Sequence, residues 1–179
     1  MGTSTALLVE DMPIAAKRPP ALPILDRQHL RLVVTGTAPR LVRALTDQAL
    51  HLWRAPRAVR PDVRLVATEL VTNVLQHTPR SEGRLDVFDV ALDLLASSAV
   101  RVLVFDMSSD MPICRTPAPG AEGSRGLLVV RGLARDWGAF PLPSGGKAVW
   151  ADVPLAVEAP RDGTDPRMVA RVLGAVRDL

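Results

Sequence analysis

The chain has 179 residues, 47% of them apolar and 23% charged, with a formal net charge of +3, which is the size and composition of one globular domain. No uncharged apolar run approaches the roughly 18 residues needed to cross a bilayer, and Glu10 and Asp11 stand where a signal peptide would be apolar, so the expectation is a soluble cytoplasmic protein. A single cysteine, Cys114, excludes a disulfide framework and cannot complete a structural zinc site, while 19 acids offset 20 Arg and two Lys, and the only aromatics are three Trp and three Phe, too few for a nucleic-acid surface built on stacking rings.

Residues 1–27 hold Pro13, Pro19, Pro20 and Pro23 without sustained periodicity, predicting an extended or disordered leader before a domain over residues 28–155. His29 to Val34 reads as a strand, and Pro39 sits where the first turn of a helix tolerates it. Leu41, Leu45, Ala49 and Leu52 then recur at helical spacing. Pro61-Asp62 opens a second helix with Val63, Ala67, Leu70 and Val74 on one apolar face, ending near His77.

Residues 84–94 and 99–105 are β-rich and joined at Ser97-Ser98, a hairpin that ends at Asp106. Residues 107–125 lose all periodicity and gather Pro112, Pro117, Pro119, Gly120 and Gly123; a connection that long inside one domain is usually functional or disordered. Gly126 to Asp136 predicts a third helix, and residues 137–142 and 147–153 flank Pro143-Ser144-Gly145-Gly146 as a closing hairpin. In the remaining segment, residues 156–179, a linker leads to Asp165-Pro166, an N-cap and first-turn proline for a short amphipathic helix. The element order predicts a two-layer α/β sandwich, with helices over one face of a mostly antiparallel mixed sheet. The hairpins are too tight for the crossovers of a doubly wound parallel sheet.

Three places can carry chemistry. Glu69 and Asn73 are four apart on the second helix, beside its apolar stripe. A carboxylate there can accept a proton or position water, an Asn oxygen suits magnesium, and a pair of solvated side chains is the bland alternative. Asp106 ends a strand at the mouth of the long loop, with a carboxylate at a pocket mouth as one reading and a turn-initiating Asp as the alternative. Gly123-Ser124-Arg125-Gly126 delivers that loop into a helix, where amides and an arginine suit phosphate and a plain N-cap is the alternative.

The order and spacing of these segments resemble the GHKL ATPases of the Bergerat fold, specifically the anti-sigma-factor serine kinases and related actinobacterial ATP-binding regulators. Glu69-Leu70-Val71-Thr72-Asn73 resembles the N box, Val104-Phe105-Asp106 the strand end of the G1 box, Ser124-Arg125-Gly126-Leu127 the G2 box, and Gly145-Gly146-Lys147-Ala148-Val149-Trp150 the closing hairpin. The resemblance implies ATP and Mg2+ as cofactors: Asn73 on the metal, Glu69 as general base or water-positioning group, Asp106 accepting from the adenine amino group, Ser108 in the G1 turn, and Ser124, Arg125, Gly126 and Leu127 at the phosphate end of a lid over residues 107–125. It also implies a serine/threonine kinase that binds a sigma factor and phosphorylates an anti-sigma antagonist, without direct nucleic-acid or membrane contact and compatible with a homodimer. The alternative is a non-catalytic, nucleotide-responsive adaptor. Two departures bear on the choice: Asp106-Met107-Ser108-Ser109-Asp110 replaces the family's Asp-x-Gly-x-Gly, and Ala148 falls where the family often has a threonine that helps hold adenine.

Other candidates read as structural. His77 suits a helix C-terminus, Cys114 has no nearby histidine in sequence, and Trp53, Trp137 and Trp150 suit packing. Gly145-Gly146-Lys147 lacks the spacing of a P-loop.

Overall fold

The computed structural model describes residues 12–13, 16–78, 85–114, 126–156 and 171. In chain order these form β1 (Met12–Pro13), β2 (Ile24–Val33), α1 (Ala38–Leu52), α2 (Arg60–His77), β3 (Val87–Leu95), β4 (Ala99–Asp106), β5 (Ile113–Cys114), α3 (Gly126–Leu133), β6 (Asp136–Pro141) and β7 (Lys147–Pro154). Five strands make one antiparallel sheet in the order β2-β3-β4-β7-β6, and β1 pairs with β5 in a separate two-stranded ribbon. The three helices pack on one face of the large sheet, with α2 in the middle against α1, α3, β4 and β7. This is the α/β sandwich that the element order predicts.

Strand alternation sorts the residues between two faces. Val90, Val104, Val149 and Ala139 lie in register across the sheet, as do Leu92, Val102, Ala151 and Trp137. These rows join Val63, Val66, Leu70 and Val71 of α2 in the main core. Each Val or Leu side chain removed from water there contributes about 1.5–3 kcal/mol. The opposite face alternates charge with apolar surface. Arg101 and Asp152 form a buried bidentate pair, Asp93 takes both Nε and Nη2 of Arg27, and Ala91, Leu103, Phe140, Ala148 and Trp150 make a second small core.

Two expectations shift. The first strand starts at Ile24, not His29, because the bulged pairing with β3 carries on to Leu95. Along α1 the buried stripe is Ala38, Val42, Thr46, Ala49 and Leu50, whereas Leu41 and Leu52 are 48% and 62% exposed. The helix is rotated because Thr46 enters the core with its hydroxyl donated to the Val42 carbonyl at 2.8 Å, which removes the cost of burying it.

The described part of the leader is extended and tied down. Lys17 N–H donates to the Ala139 carbonyl (2.7 Å), Trp150 Nε1 donates to the Lys17 carbonyl (2.8 Å), and Arg101 Nη1 donates to the Pro20 carbonyl (3.0 Å). Arg18 lies 4.6 Å from the Phe140 ring centroid. Gly138 makes the passage possible: a Cβ there would meet the Lys17 Cβ at 2.9 Å and the Trp150 Nε1 at 3.1 Å. α3 ends at Leu133, three residues before the predicted limit, because Asp136 already pairs with Asp152 in the sheet. Of the predicted C-terminal helix only Arg171 is described; it clasps the buried Asp62 of α2 through Nε (2.7 Å) and Nη2 (2.9 Å). The rest of that segment lies outside the described residues.

Candidate functional site

The end of β4 sets the site. Asp106 has the same parity as Val102 and Val104, so its carboxylate emerges on the helix face, 3% exposed. Its Oδ1 accepts the Ser108 N–H at 2.8 Å, an Asx-type turn that folds the chain back at the strand end. Lys147, opposite Asp106 in the β4–β7 register, donates from Nζ to the same Oδ1 at 2.9 Å and to the Ser108 carbonyl at 3.2 Å. Ser108 Oγ in turn accepts the Asp110 N–H at 3.3 Å. Ser108 thus closes the turn with its own amide, hydroxyl and carbonyl, where the family pattern has glycine.

Gly146 brings the second hairpin onto this turn. Its φ is +77°, and a Cβ would lie 2.2 Å from the Asp106 carbonyl oxygen and 2.9 Å from the Met107 Cα. Only glycine fits that contact.

Ala148 does not take part. It pairs with Phe105 on the face away from the helices and packs with Leu103 and Trp150. A threonine at this position could not reach a base beside Asp106. The side chain that faces Asp106 belongs to Lys147, which the sequence reading placed in the closing hairpin without a role. The signal available in the sequence was the strand parity counted back from Val149.

On α2, which packs over β4 and β7, Glu69 and Asn73 stand one turn apart, the first 3% exposed and the second half-buried. They flank the stripe that packs α2 on β4 and β7, which turns both toward the same side of the sandwich. Gly126 opens α3 and is buried; Leu127 is 8% exposed and belongs to the main core, so it could meet a phosphate only through its backbone. Ser124 and Arg125 lie outside the described residues, as does the lid beyond Cys114.

An open depression of about 450 Å3 borders the same strand end, lined by His29, Arg31, Asp89, Phe105, Asp106 and Leu142 among others. Its charges are paired, since Asp89 accepts from Arg31 Nε and Nη2 at 3.0 Å.

The residues fit a nucleotide and its metal as far as they are described. No donor among the described residues reaches Asp106 Oδ2, and Thr78 Oγ1 is the only side-chain atom among them that is both sealed from solvent and unpartnered. Asp106 Oδ2 therefore remains open to accept a hydrogen bond. Among the described residues no group of three or more His, Cys, Asp or Glu could hold a metal. A magnesium ion held mainly by phosphates and water needs no such group and can take one amide oxygen from Asn73.

The model of the histidine kinase-like ATPase domain matches residues 35–151, well over half of the chain, from α1 into β7. The chain belongs to this family. Among solved structures, it is similar to the RsbU and RsbW domains of Rv1364c from Mycobacterium tuberculosis, with a TM-score of 0.57 and 23% identity over 79% of this chain. It spans 35% of that longer protein, and the likeness shows a shared fold. No curated protein matches the sequence. Among the described residues no helix is long and apolar enough to cross a membrane.

Proposed function

We propose that this histidine kinase-like ATPase domain binds Mg-ATP and acts as a regulatory serine kinase, binding a sigma factor and phosphorylating a serine of its anti-sigma antagonist. One observation carries the reading: a buried Asp106 that keeps one carboxylate oxygen open on the helix face, with Glu69 and Asn73 a turn apart on the helix packed over the same strands. A carboxylate is an acceptor only, so its natural partner is an amino group such as that of adenine. Asn73 would hold the metal, whose chemistry is to neutralise phosphate charge. Ser124, Arg125 and the amides at Gly126 would hold the phosphates at the start of α3. Glu69, held on a rigid helix, would take the proton of the partner's serine as its oxygen bonds to the γ-phosphorus and the bond to ADP breaks. Catalysis of this kind rests on alignment and charge neutralisation.

Titration of a fluorescent ATP analogue with and without Mg2+ tests the reading. Saturable, Mg2+-dependent binding is expected, with the dependence lost in Asn73→Ala; absence of saturation at millimolar nucleotide overturns it. With the antagonist present, Glu69→Gln should bind nucleotide normally and lose phosphoryl transfer. Wild-type binding without transfer to any co-purifying partner identifies an adaptor, the reading that the altered G1 turn favours.

A further inference from the structure

We propose that Lys147 is a base-reading residue: with Asp106 it forms a donor–acceptor pair for adenine's amino group and the ring nitrogen beside it. This rests on the Mg-ATP reading of the same site. Lys147 is buried, its side chain 7% exposed against 2% for Asp106. An ammonium has three donors, and two are used, on Asp106 Oδ1 and the Ser108 carbonyl. The third has no acceptor among the described residues, and it lies next to a carboxylate whose Oδ2 is likewise untaken.

Oδ1 is occupied twice, by Ser108 N–H and by Lys147. That fixes the plane of the carboxylate and leaves Oδ2 for the ligand. The result is one acceptor and one donor side by side, the complement of adenine, whose exocyclic amino group neighbours an acceptor nitrogen on either side. Guanine presents a carbonyl oxygen where adenine presents the amino group, so the same carboxylate repels it.

The choice of lysine supports the assignment. The chain uses 20 arginines and only two lysines, yet a lysine stands here. A guanidinium is a planar fork suited to bidentate pairing with a carboxylate and would engage both oxygens of Asp106, whereas a compact ammonium touches one. The Arg101–Asp152 pair on the other face shows that outcome, with Nε on Oδ1 at 2.7 Å and Nη2 on Oδ2 at 2.9 Å. Lysine preserves the open oxygen.

Equilibrium binding of ATP, 1-deaza-ATP, 7-deaza-ATP, purine riboside triphosphate and GTP to the wild-type chain tests this without any variant. The pair predicts that purine riboside triphosphate, GTP and one of the two deaza analogues each bind on the order of tenfold to a hundredfold more weakly than ATP. Which deaza analogue is rejected identifies the edge that Lys147 meets. In Lys147→Met, ATP should weaken to the level of that analogue, and the variant should no longer distinguish the two. ATP binding with both deaza analogues equal to ATP overturns the role of Lys147 while leaving the nucleotide site intact, as does retained discrimination in Lys147→Met. Absence of ATP binding in the wild type overturns the Mg-ATP reading and this one with it.

Discussion

Gly146 and Asp106 are in backbone contact: a Cβ on Gly146 would stand 2.2 Å from the Asp106 carbonyl oxygen, at a φ of +77°. The second hairpin is thereby locked onto the turn that aims the Asp106 carboxylate. Gly146→Ala must absorb both a left-handed backbone and an overlap with backbone atoms that cannot rotate away. The expected loss is about 2–4 kcal/mol, read by chemical denaturation. Gly145→Ala is the control: its φ is +90° but nothing lies within 4 Å of the added Cβ, so it should lose only the conformational part, about 1–2 kcal/mol. Equal losses in the two would show that the contact with Asp106 carries no weight.

Arg101 and Asp152 are 6% and 1% exposed in their side chains and joined by two hydrogen bonds. The guanidinium also lies 5.3 Å from the Trp150 ring centroid. Arg101→Ala leaves Asp152 charged and buried without its partner, and a loss of about 3–5 kcal/mol is expected. The double variant Arg101→Leu, Asp152→Leu removes both charges and should recover most of that loss. Denaturation midpoints of the three proteins decide the matter, and a double variant no better than Arg101→Ala would refute the desolvation argument.

What the sequence made legible followed from strong local patterns. The stripe Val63, Ala67, Leu70, Val74 marks the buried face of α2 because that helix is central, with its apolar side enclosed by sheet and neighbours. Asp106 was legible as a strand end entering a Pro/Gly loop. The face of α1 was not, because Thr46 reads as polar and is buried only through a bond to its own backbone, while Leu41 and Leu52 read as core and are exposed. The leader's attachment was also hidden, since it runs through main-chain groups of Lys17 and Pro20 that no side-chain pattern reports. Lys147 was missed for a register reason. Whether it or Ala148 faces the helices depends on the pairing of β7 with β4, in which a slip of one residue exchanges the faces.

The leader should therefore contribute to stability. Deleting residues 1–20 removes the carbonyl that Trp150 Nε1 donates to, the donor to Ala139 and the cation over Phe140. A loss of about 2–4 kcal/mol is expected from the hydrogen bonds, with a red shift of tryptophan emission as Trp150 meets water. Lys17→Ala keeps the main-chain bonds and loses the partly exposed pair with Asp136 and the ammonium 5.7 Å from the Trp150 ring centroid, for which about 1 kcal/mol is expected. If Lys17→Ala were as damaging as the deletion, the side-chain pair and not the backbone would anchor the segment.

Asp26 carries an acid-sensitive contact of the fold. Trp53 Nε1 donates to its Oδ2 at 2.7 Å and the Arg27 N–H to its Oδ1 at 2.8 Å. The indole bond first, and the amide second, hold the carboxyl below its ordinary value of 3.8. A group whose folded pKa is depressed stabilises the fold above its unfolded pKa, and that contribution is lost as pH falls through the folded one. Trp53→Phe keeps an aromatic ring but deletes the donor and part of the indole's packing, so the variant should be less stable than wild type near neutrality. The gap should narrow as pH falls below 3.8, to a pH-independent packing remainder once Asp26 is protonated in both states. Urea denaturation of both proteins across that range tests the assignment: a gap independent of pH would mean that Trp53 acts by packing alone.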